Sequence, residues 1–69
     1  MCTFKNERTV LVCDVAIGRV RQELVKAFGD RVLCTPIDGE GTLVEVAPDV
    51  DGHQFTDLAR AAIDAAQRA

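Results

Sequence analysis

Between Asp14 and Gly29, apolar positions recur at helical spacing: Ile17, Val20, Leu24, Ala27 and Phe28 on one side, Arg19, Gln22, Glu23 and Lys26 on the other. The pattern predicts an amphipathic helix with one buried face and one wet face. Asp14 is the expected cap, because its carboxylate can accept from the free amides of the first turn. Gly29 is the expected stop, because it can take the left-handed conformation that closes the last turn. A glycine inside a helix costs about 1 kcal/mol against alanine, so Gly18 predicts a close backbone approach where the helix crosses a sheet.

Around this helix the period changes to two. Thr9-Val10-Leu11-Val12-Cys13 is β-branched and apolar on both alternating faces, as in a strand with little exposure. Arg31 to Thr35 reads as a second strand, which Pro36 places at an edge or ends there, since proline cannot donate to a ladder. Asp38-Gly39-Glu40-Gly41 is turn chemistry, and Thr42 to Ala47 is a third strand, so these two form a hairpin. In the third strand Val44 and Val46 share the core face, with Leu43 and Glu45 on the other. Residues 1–8 are mostly polar, and Thr3-Phe4-Lys5 can add a short edge strand.

The last third returns to helical spacing. Asp51 with Gln54 is a capping-box variant, and Val50 with Phe55 is spaced as a hydrophobic staple. Phe55, Leu58, Ala59, Ala62, Ile63 and Ala66 make the apolar stripe of a second helix. Asp57, Arg60, Asp64 and Arg68 lie outside it as spaced ion pairs.

The expected fold is therefore a single α+β domain over residues 1–69, a βαββα order with a three-stranded mixed or antiparallel sheet and both helices packed on one face. A right-handed crossover makes the first and second strands parallel. With the third strand inserted between them, the arrangement is a split βαβ unit, like a ferredoxin-like fold that lacks its last strand. The uncovered sheet face would carry Leu33, Leu43 and one side of the first strand, a surface too apolar to be left in water. Self-association is the commonest way to cover it, and makes a homodimer an expectation.

A hydrophobic fraction of 48% with 28% charged residues fits a globular domain rather than a disordered one. A domain this small buries only about 60% of the surface of its unfolded chain, so the core is thin. The longest apolar run falls well short of the roughly 18 residues a membrane span needs, and residues 1–8 lack a signal-peptide core, so the expected compartment is the cytoplasm, without a membrane. Three cysteines, Cys2, Cys13 and Cys34, cannot form a fully paired framework, and reduced thiols are expected, with Cys13 and Cys34 as small core side chains.

The net charge of −3 is unevenly spread. Residues 1–35 hold six basic against four acidic side chains. Residues 36–69 hold Asp38, Glu40, Glu45, Asp49, Asp51, Asp57 and Asp64 against Arg60 and Arg68 alone. Such an acidic half is repelled by nucleic acid and attracted to basic protein surfaces.

No stretch carries a catalytic signature. His53 sits at a helix start with no serine in the chain and no cysteine near it in sequence. Cys2, Cys13, Cys34 and His53 lack the close pair that seeds a zinc site. Asp49-Val50-Asp51-Gly52 fails the calcium-loop pattern, because the glycine comes too early and Arg60 stands where the bidentate glutamate belongs. Asp38-Gly39-Glu40-Gly41 has neither a lysine nor a following helix, and so is no phosphate cradle. No enzyme activity, metal or cofactor is expected.

Three function classes remain. The leading one is a small acidic protein-interaction module whose carboxylates, Asp38, Glu40, Glu45, Asp49, Asp51, Asp57 and Asp64, meet the basic surface of a nucleic-acid-handling protein. Short length and acidity are also the general profile of phage or mobile-element inhibitors such as anti-CRISPR proteins, although no motif here carries that further. The second is a ferredoxin-like regulatory domain that dimerises and holds a small ligand. The third is a nucleic-acid accessory factor using Arg19, Arg21, Lys26 and Arg31. The overall charge and the lack of aromatic residues on the three main strands argue against it.

Overall fold

A computed structural model describes residues 2–68 of the chain. Its elements are β1 (Thr3–Asn6), β2 (Thr9–Val12), α1 (Asp14–Phe28), a 3-10 turn (Gly29–Arg31), β3 (Val32–Ile37), β4 (Gly41–Val46) and α2 (Gly52–Arg68). The sheet has four strands rather than three, in the order β1-β2-β4-β3, and every neighbouring pair is antiparallel. Since β2 and β3 each run against β4, they run parallel to each other, and α1 connects them. This is the expected split βαβ unit. The additional strand, β1, holds the edge beside β2, where a ferredoxin-like sheet sets its last strand.

Register decides which residues make the core. One row, Phe4–Val10–Val44–Cys34, crosses all four strands, and Val32–Val46 lies in a neighbouring row on the same side. Val10, Val12, Val44 and Val46 are buried there, with Phe4, Val32 and Cys34 half-buried against them. The helices pack on this side and on each other. From α1 come Ala16, Val20 and Leu24, and from α2 come Phe55, Ala59, Ala62 and Ile63. Cys13 and Cys34 are half-buried around this core rather than inside it.

The buried stripe of α1 differs from the expected one, with Ala16 fully buried on it although the expected stripe begins at Ile17. Ile17 and Phe28 only flank the buried line, and Ala27 is exposed. Ala27 lines a cleft beside the β4–α2 connection with Arg31, Asp49 and Gln54. The expected Asp14 cap is also absent. β2 runs straight into the helix, so Cys13 takes the N-cap position, its carbonyl accepting from the Ala16 and Ile17 amides at 3.0 and 3.1 Å. Asp14 remains in the first turn, where its charge suits the helix dipole. Gly29 ends the helix, its N–H donating to the Val25 carbonyl, but with φ 66° and ψ −131° it takes an extended positive-φ conformation rather than the left-handed helical one expected.

A Cβ on Gly18 would meet nothing within 4 Å beyond its own helix, so the close approach expected there is not found. It occurs at Gly41 instead, where the hairpin enters β4 against the end of β2. At α2, the Asp51 carboxylate accepts from the His53 amide at 2.9 Å, so Asp51 caps the helix. Val50 and Phe55 are both buried in the same core, as a staple requires. The β1–β2 turn is tied to this end of the molecule. Arg8 Nε donates to the Val50 carbonyl at 3.0 Å, and the Thr56 hydroxyl donates to the Glu7 carbonyl at 3.2 Å.

Candidate functional site

With both helices on one side, the other side of the sheet is open. The central strands set Leu11 opposite Leu43, and Thr3 and Thr35 extend that row to the two edges. In the next row Thr9, Glu45 and Leu33 stand side by side. Leu11, Leu43 and Glu45 are half-buried by their neighbours, whereas Leu33, on the edge strand, is 58% exposed. Ile37 ends β3 on the same face, opposite Gly41. The open face is thus an apolar centre with a carboxylate in the row beside it, and Glu45 makes no ion pair among the described residues.

The expected acidic residues do not converge on one surface. Asp38 and Glu40 form the β3–β4 hairpin at one end of the sheet. Asp49 and Asp51 lie past the other end of β4, whose six residues span about 20 Å. Asp49 is held by Arg31 at 2.9 Å, and Asp51 is occupied in capping α2. Asp57 and Asp64 are exposed on α2, where Asp64 pairs with Arg68 at 2.8 Å. Only Glu45 belongs to the open face itself, together with Leu33 and Leu43.

The sequence pattern leaves open which side of the first strand lies here, and Ile37 is an addition to the expected face. Strand alternation alone permits either face of so uniformly apolar a strand; the cross-strand register selects Leu11. The basic residues are also divided. Arg19, Arg21 and Lys26 are exposed along α1, near the exposed Val15 and Val25, but Arg31 is engaged with Asp49 in the loops below. Arg60 lies over the Phe4 ring, 5.5 Å from its centre, instead of pairing within α2.

Sequence spacing did not suggest a second feature, the pairing of Cys2 with Cys13. Their sulfurs are 3.1 Å apart, and the Cys13 amide donates to Cys2 Sγ at 3.3 Å. The hydrogen bond from Cys2, assisted by the Ala16 amide at the start of α1, holds Cys13 below the ordinary thiol value. Burial pushes Cys2 up. Cys34 stands on β3, at the opposite edge of the sheet from β1, and His53 is in the first turn of α2. Among the described residues, no group of three or more His, Cys, Asp or Glu side chains is placed to hold a metal ion. No helix among them is long and apolar enough to cross a membrane.

Comparison with protein-family models, with curated proteins and with solved structures finds no match to this chain.

Proposed function

We propose that this chain is a non-enzymatic protein-interaction module whose working surface is the open face of the sheet. Its partner is a protein that presents basic side chains around an apolar surface. The observation that carries this reading is the position of Glu45 beside Leu33, next to the Leu11–Leu43 pair and without an ion pair among the described residues. Covering the leucines desolvates that carboxylate, which is unfavourable unless a cation meets it. An arginine or lysine at the partner's contact surface supplies the charge-assisted hydrogen bond.

The same carboxylate counts against a second copy as the occupant. A two-fold pairing brings the same patch of both copies together, and Glu45, one row from the centre, would be buried near its own counterpart. It also counts against nucleic acid, because a face with a carboxylate and no aromatic ring repels phosphate and offers no base a stacking platform. In its sharper form the reading is an inhibitor of a nucleic-acid-handling protein, of the kind phages and mobile elements encode. A net charge of −3 supports that form.

The test is affinity capture from the host in moderate salt, with immobilised wild-type protein, Leu33→Asp and Glu45→Lys side by side. The expected result is one basic protein retained by the wild type and lost with both variants. Equal retention by all three overturns the reading. A wild-type dimer that Leu33→Asp converts to monomer in light scattering replaces it with self-association through the same face.

A further inference from the structure

We propose that Cys2 and Cys13 are a disulfide-forming pair, oxidised by a small-molecule disulfide such as oxidised glutathione, and that the bond locks β1 onto the start of α1. The sulfurs already stand 3.1 Å apart, about 1 Å beyond the bonded separation of roughly 2.05 Å. The two residues are brought together by the β1–β2 ladder, in which Thr3 pairs with Leu11, so Cys2 and Cys13 each lie just beyond the paired strand ends. Neither is sealed in the core, and both are half-exposed to a reagent.

The two thiols have different chemical roles. Cys13 is the N-cap of α1, and the Cys2 S–H and the Ala16 amide stabilise its thiolate. This makes Cys13 the attacking sulfur. Its thiolate displaces one glutathione thiolate from the small disulfide and forms a mixed disulfide at Cys13. Cys2 then loses its proton to solvent and attacks Cys13 Sγ, expelling the second glutathione thiolate. The balance is two protein thiols oxidised to one disulfide and one glutathione disulfide reduced to two thiols. Cys34, across two strands from β1, takes no part.

The consequence is local to an edge. β1 is four residues long and pairs on one side only, with a register irregularity between Phe4 and Asn6. It is the strand with the least to hold it, and it supplies Thr3 to the open face and Phe4 to the core row. A covalent link at its N-terminal end closes a short loop through the β1–β2 turn, and its expected effect is a rise in Tm of about 10 °C.

The experiment is incubation of the native wild-type protein with a glutathione redox buffer at pH 8, followed by acid quench, alkylation and peptide mapping. The expected result is a mass loss of about 2 Da, with Cys2 linked to Cys13 and Cys34 alkylated. The Cys34→Ser variant should behave identically, and Cys2→Ser should stop at a glutathione adduct on Cys13. Oxidation that stops at that adduct in the wild type overturns the proposal. So does a disulfide that includes Cys34, or full alkylation of all three thiols in oxidising buffer. Peptide mapping of the wild type decides the matter even where a serine variant fails to fold.

Discussion

Gly41 lies so close to the end of β2 that a Cβ on it would overlap the carbonyl oxygen of Val12 and sit 3.3 Å from the Cys13 Cα. Both obstacles are backbone, so no rotamer change relieves them. The residue also has φ 121°, a conformation that side chains of L-residues rarely adopt. Gly41→Ala should therefore destabilise the fold by more than about 2 kcal/mol, a fall in Tm of at least roughly 10 °C by thermal unfolding. Gly39→Ala, at φ 77° in open space, carries the conformational strain without the clash and should cost about 1 kcal/mol.

Gly18 makes the opposite prediction. It lies inside α1, is exposed, and has nothing within 4 Å of a built Cβ. Gly18→Ala should stabilise by about 0.5–1 kcal/mol, by improving helix propensity and narrowing the unfolded ensemble. A loss of stability on chemical denaturation would show that α1 meets something at this position.

The contrast between these glycines shows where sequence reading succeeds and where it stops. α2 was legible because its instructions are local: Asp51 caps, Val50 and Phe55 bracket the entry, and Phe55, Ala59, Ala62 and Ile63 recur at helical spacing. The hairpin and the split βαβ unit were legible from period and turn chemistry. The edge strand at Thr3-Phe4-Lys5 was also legible, and β1 joins β2 through a two-residue turn. The crowding at Gly41 and the meeting of Cys2 with Cys13 depend instead on which strands are neighbours and in what register. Nothing within a few residues of any of them records that. The open face was half legible, since alternation put Leu43 with Glu45 and the hairpin set Leu33 on the same face, but only the register selects Leu11 from the first strand.

The Asp51 cap is a prediction with a defined size. Its carboxylate satisfies the His53 amide, one of the donors that the first turn of α2 leaves without an intrahelical partner. Asp51→Ala should cost about 1 kcal/mol, and Asp51→Ser should recover most of it, read as the shift in denaturation midpoint. Failure of serine to rescue would show that the charge matters here and the hydrogen bond does not.

The two paired thiols should titrate apart. The Cys2 S–H lowers Cys13, and burial raises Cys2, so alkylation of Cys13 by iodoacetamide should reach half its maximal rate at a lower pH than in the urea-unfolded chain, and that of Cys2 at a higher one. The linked stability follows from these directions. The Cys13 contribution is present above the unfolded thiol value and lost as pH falls through its lowered folded value. The Cys2 contribution is present below the unfolded value and lost as pH rises through its raised one. Peptide-resolved alkylation rates that coincide at every pH would contradict both shifts.

Binding and folding can be separated at the open face, because its two most informative residues do little for the core. Leu33 is 58% exposed, and Glu45 makes no ion pair among the described residues. Leu33→Asp and Glu45→Lys should each change unfolding free energy by no more than about 0.5 kcal/mol. Phe55→Ala, which empties a fully buried site, should cost about 3–5 kcal/mol. Against a basic partner Glu45→Lys replaces attraction with repulsion, so affinity should fall at least about tenfold, whereas Glu45→Gln keeps the shape and loses only the charge. A fall for lysine with none for glutamine would mean that bulk matters more than charge at this position. Equal affinity for all three proteins would move the contact away from the open face altogether.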